Sequence, residues 1–62
     1  MDGLEFDDLI KRLKRHSEWK YPDRPWTLNF HDQVRFMWTG KEEQLKEKVL
    51  SLEDDMRNAG VI

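Results

Sequence analysis

Trp26-Thr27-Leu28-Asn29-Phe30-His31-Asp32-Gln33-Val34-Arg35-Phe36-Met37-Trp38 is the stretch whose reading decides the fold of this 62-residue chain. Trp26, Leu28 and Phe30 alternate with Thr27, Asn29 and His31. Val34, Phe36 and Trp38 alternate with Arg35, Met37 and Thr39. A period of two is the pattern of half-buried strands, so the stretch predicts a β-hairpin over residues 26–38. A three-residue connection at His31-Asp32-Gln33 sets Phe30 opposite Val34, Leu28 opposite Phe36 and Trp26 opposite Trp38, with every large apolar side chain on one face. A two-residue turn at Asp32-Gln33 would set Phe30 against Arg35, and neither turn residue readily takes the positive φ required there.

A two-stranded hairpin is marginal alone, so its flanks must cover that apolar face. On the N-terminal side, Phe6, Leu9, Ile10 and Leu13 recur at helical spacing and predict a helix over about residues 4–19. Asp2 is its expected N-cap, with Glu5 three residues later. Acids early in this helix and Lys11, Arg12, Lys14, Arg15 and His16 late in it suit the helix dipole. Lys20-Tyr21-Pro22-Asp23-Arg24-Pro25 reads as a stiff linker, because the residue before each proline is pushed out of the α region. On the C-terminal side, Thr39-Gly40-Lys41-Glu42 reads as a capping box. It opens a helix over about residues 40–59, with Leu45, Val49, Leu52, Met56 and Ala59 on one stripe. Gly60 in the left-handed conformation, with Val61 folding back to Met56, is its expected stop.

The expectation is therefore a single α+β domain, residues 1–62, of order α-β-β-α, with two helices packed on one face of a β-hairpin. The open edges of such a hairpin offer a route to a homodimer or to strand addition.

The three glycines are isolated and cysteine is absent, which removes phosphate-loop and dinucleotide fingerprints, disulfides and thiolate zinc sites. Ser17 and Ser51 lie in helical stretches with no glycine-rich elbow. Glu53-Asp54-Asp55 reads as a solvated helix face. His16 and His31 match no ligand spacing, and His31-Asp32 reads as a local hydrogen-bonding pair. The expectation is no enzyme, no cofactor and no metal.

Net charge is −2, with four acids and no base in residues 1–10 and six bases against two acids in residues 11–24. No apolar run is long enough to span a membrane and the N-terminus is acidic, so a cytoplasmic protein without membrane contact is expected. The functional expectation is a small adaptor or inhibitor, of a size that suits phage and mobile-element regulators, binding a larger protein partner. Its predicted contact residues are Trp19, Tyr21, Arg24, Arg35 and Met37, because Trp, Tyr and Arg are enriched at binding hot spots. The alternative is a nucleic-acid-binding regulator using Lys11, Arg12, Lys14, Arg15 and Lys20, although bases also fill the solvated side of an amphipathic helix. A third reading is a structural subunit of an oligomeric assembly.

Overall fold

The computed structural model describes residues 3–62. It contains three helices, α1 (Gly3–Lys20), α2 (Leu28–Trp38) and α3 (Glu42–Asn58), and no strand among the described residues. The Asp2 cap expected for α1 lies outside those residues.

The α+β expectation is overturned at the hairpin, because residues 28–38 form one helix. Three local features account for this. Thr27 is its N-cap, in extended conformation, and its Oγ1 accepts from Phe30 N–H at 3.1 Å. Trp26, just before the cap, reaches the fourth helical residue, its Nε1 donating to His31 Nδ1 at 3.0 Å, in the position of a hydrophobic staple. His31-Asp32-Gln33 contains neither glycine nor asparagine, the residues that most readily take the positive φ of a tight hairpin turn. The apolar residues also satisfy a helical stripe, since Phe30, Val34, Met37 and Trp38 fall at i, i+4, i+7 and i+8. Leu28 and Phe36, core residues in the hairpin reading, are left 85% and 84% exposed. The strand edge through which a homodimer was expected does not exist among the described residues, and that route falls with it.

Thr39 does not open α3. Its hydroxyl donates back to Arg35 O at 2.7 Å and its N–H to Arg35 O at 3.0 Å, which closes α2. Gly40, at φ 81°, turns the chain, and Lys41 caps α3 without a side-chain bond. Of the expected box there remains Glu42 Oε1, accepting from Gly40 N–H at 3.4 Å. The far end of α3 is a complete Schellman stop: Gly60 is at φ 78°, Gly60 N–H meets Arg57 O at 3.0 Å and Val61 N–H meets Met56 O at 2.9 Å.

The helices pack up, down and up. Arg12 and His16 of α1 face Glu53 and Asp55 of α3, so these two helices run parallel. Arg35, late in α2, pairs with Asp7, early in α1, so α2 is antiparallel to both. Leu9, Ile10, Val34, Leu45 and Val49 are buried at the centre, with Phe6, Leu13, Trp26 and Trp38 packed around them. The closest backbone approach is that of α1 to α3; α2 contributes Val34 as its one buried residue.

Thr27→Ala should lower the unfolding free energy by about 1 kcal/mol, the usual worth of such a cap. The readout is a lower urea midpoint with an unchanged slope, and an unmoved midpoint would remove Thr27 from the explanation of α2.

A candidate groove between α2 and α3

Because α2 rests on α1 more loosely than α3 does, a groove of about 290 Å³ opens along it. Its floor is Leu13, His16 and Ser17 of α1; Phe30, Val34, Met37 and Trp38 line it from α2, and Lys48 and Leu52 from α3. Tyr21 and Trp26 of the connecting segment close one end. There it adjoins a second hollow of about 340 Å³, lined by Ser17, Tyr21, Arg24, Pro25, Trp26 and Phe30. Trp26 stands between the two, its ring edge-on to Phe30 at 4.7 Å between centroids. The prolines that stiffen residues 21–27 hold Tyr21, Arg24 and Trp26 at this end.

Three of the five predicted contact residues converge here. Tyr21 and Met37 line the groove, 45% and 54% exposed, and Arg24 lines the adjoining hollow with its guanidinium 5.2 Å from the Tyr21 ring centroid. Trp19 and Arg35 lie elsewhere. Trp19 packs edge-on against His16 with Lys20 Nζ 5.4 Å from its ring centroid, and Arg35 pairs with Asp7 above the Phe6 ring. Sequence reasoning missed Phe30, Trp38, Lys48 and Leu52 as site residues. The available signal was the helical stripe Phe30, Val34, Met37 and Trp38.

The predicted basic segment is partly neutralised. Arg12 Nε donates to Glu53 Oε2 at 2.8 Å and Arg12 Nη2 to Glu53 Oε1, a two-pronged pair, with Asp8 at 3.5 Å beside it. Hydrogen bonding to Arg12 holds the Glu53 carboxyl below the ordinary glutamate range, and the same bond raises the Arg12 guanidinium. Lys20 lies 3.9 Å from Asp55, while Lys11 and Arg15 are exposed and Lys14 is half-buried.

His16 is buried with Nε2 3.4 Å from Asp55 Oδ2, and Ser17 is its neighbour in the groove floor. These are the residue types of a hydrolytic triad without its connectivity. Asp55 meets the ring, but among the described residues no hydrogen bond joins the Ser17 hydroxyl to it. No three His, Asp or Glu side chains among the described residues converge as a metal site. No helix among them is long and apolar enough to cross a membrane. Comparison with protein-family models, curated proteins and solved structures gives no match.

Proposed function

We propose that this chain is a non-enzymatic protein-binding module, an adaptor or inhibitor, that takes apolar side chains of a larger protein into the groove between α2 and α3. The observation that carries the reading is the exposure of Tyr21, Phe30 and Met37 around a concave, mostly apolar lining. Exposed aromatic and methionine side chains that surround a concavity, rather than being scattered, are the composition of an interface core. Single exposed residues such as Leu28 and Phe36, on the outer side of α2, need no such explanation. A cytoplasmic setting suits the cysteine-free composition. The nucleic-acid reading draws less support, since Arg12 is engaged by Glu53 and Lys20 faces Asp55.

The test is photo-crosslinking in the native cell from a reactive residue at position 37 and, separately, at position 36, followed by identification of the product. A defined partner captured from position 37 should then bind at least about tenfold more weakly to the Met37→Asp variant, because a carboxylate in the groove must be desolvated on docking. Phe36→Asp should bind as the parent chain does. The reverse pattern would move the interface to the outer face of α2.

A further inference from the structure

The long walls of the groove are helices, whose backbone groups bond internally, so they offer no sheet edge to an extended segment. An occupant gains no backbone pairing from these walls, which favours one whose backbone is already bonded internally, as a helix's is. Phe30 and Met37 are seven residues apart on α2, about 10 Å along its axis, which matches two turns of a second helix.

The charge around the groove points to the character of that helix. Lys48 is on its α3 wall and Arg24 at the adjoining end, and neither forms an ion pair among the described residues. Arg12, Lys20, Arg35 and Arg57 each meet an Asp or Glu; Lys48 and Arg24 share their lack of an ion pair with Lys11, Lys14, Arg15, Lys41 and Lys46, and are set apart by lining the two hollows. No carboxylate among the described residues lines either hollow, although acids outnumber Lys and Arg by 13 to 11. Apolar lining with two cations and no carboxylate at its rim is the complement of a helix with an apolar stripe and acidic flanks.

We infer that the occupant of the groove is an acidic amphipathic helix of another protein, its apolar stripe against Phe30, Met37 and Leu52 and its carboxylates answered by Lys48 and Arg24. The inference rests on the groove being the binding site, and the experiment separates the two. A synthetic helical peptide with leucines at i, i+3, i+4 and i+7 and glutamates beside them is titrated into the full chain. The same peptide with lysine in place of each glutamate serves as comparison, and tryptophan emission and calorimetry are the readouts. Trp26 and Trp38 line the groove, so its occupation changes their emission.

The acidic peptide should bind about tenfold more tightly than the basic one at low ionic strength, with the gap narrowing as salt is added. The double variant Arg24→Glu and Lys48→Glu, both at exposed positions, should reverse the preference while keeping the fold. Equal binding of the two peptides, or a preference that survives the double variant, would overturn the charge assignment and leave the groove in place. Binding of neither peptide at millimolar concentration would remove the groove itself. Single-stranded oligonucleotide binding that is lost in the double variant, with no peptide binding, would reassign the two cations to phosphate.

Discussion

Leu45→Ala should cost about 2–5 kcal/mol and leave a large part of the population unfolded at room temperature. Leu45 is fully buried, on the α3 stripe that meets Leu9, Ile10 and Val34. Truncation removes its transfer energy and leaves a cavity that two neighbouring helices cannot both collapse to fill. A chain of 62 residues has a total stability of only about 3–9 kcal/mol, so the loss is a large fraction of the whole. The melting temperature should fall by about 10 °C or more, followed by far-ultraviolet circular dichroism. Leu28→Ala is the informative control. In a hairpin Leu28 would lie within the apolar slab and its truncation would also cost several kcal/mol. On α2 it is solvent-exposed, and the change should stay within about 0.5 kcal/mol. A Leu28→Ala loss comparable to that of Leu45→Ala would restore the strand reading.

The contrast between Leu45 and Leu28 also marks how far the fold can be read from the sequence. On α3 the spacing of Leu45, Val49 and Met56 fits only a helix, and all three are buried. The Gly60-Val61 stop is equally legible, because few residues other than glycine take that φ. Across residues 26–38 the pattern is degenerate, since alternate apolar residues and a helical stripe share Phe30, Val34 and Trp38. Periodicity cannot separate two periods that use the same residues in so short a stretch. The difference lay in capping chemistry, with Thr27 ahead of residues 28–38 and no glycine at their centre to supply a tight turn. Thr39 misled for a related reason: at the junction of two helices its hydroxyl serves either the next N-terminus or the preceding last turn, and the second wins. Tyr21, Arg24 and Met37 were identifiable as exposed contact types, but the groove that gathers them depends on how α2 is seated on α1 and α3. That seating is tertiary and leaves little local trace.

Glu53→Gln should destabilise the fold by about 1–2 kcal/mol near neutral pH, the second largest effect expected. The substitution leaves Arg12 without its two-pronged acceptor at the contact of α1 with α3. The side chains are 33% exposed for Arg12 and 17% for Glu53, so solvent screens part of the interaction and the upper end of the buried-pair range does not apply. The pair also has a pH signature with a definite sign. The Glu53 carboxyl titrates below its ordinary range in the folded chain, through its hydrogen bond to Arg12. An unfolded chain therefore binds the proton more readily than the folded one. The contribution is fully present above the ordinary glutamate range and is lost as pH falls through the lowered folded value. Other carboxylates titrate over the same interval, so the quantity to follow is the stability difference between the parent chain and Glu53→Gln. From about pH 7 to about pH 3 that difference should shrink in urea unfolding. A difference constant with pH would mean that Glu53 acts through packing of its side chain rather than through its charge. In the Arg12→Met background the Glu53→Gln loss should mostly vanish, because the carboxylate then has lost its hydrogen-bonded guanidinium and keeps only the weaker attraction of Arg57 and Arg15.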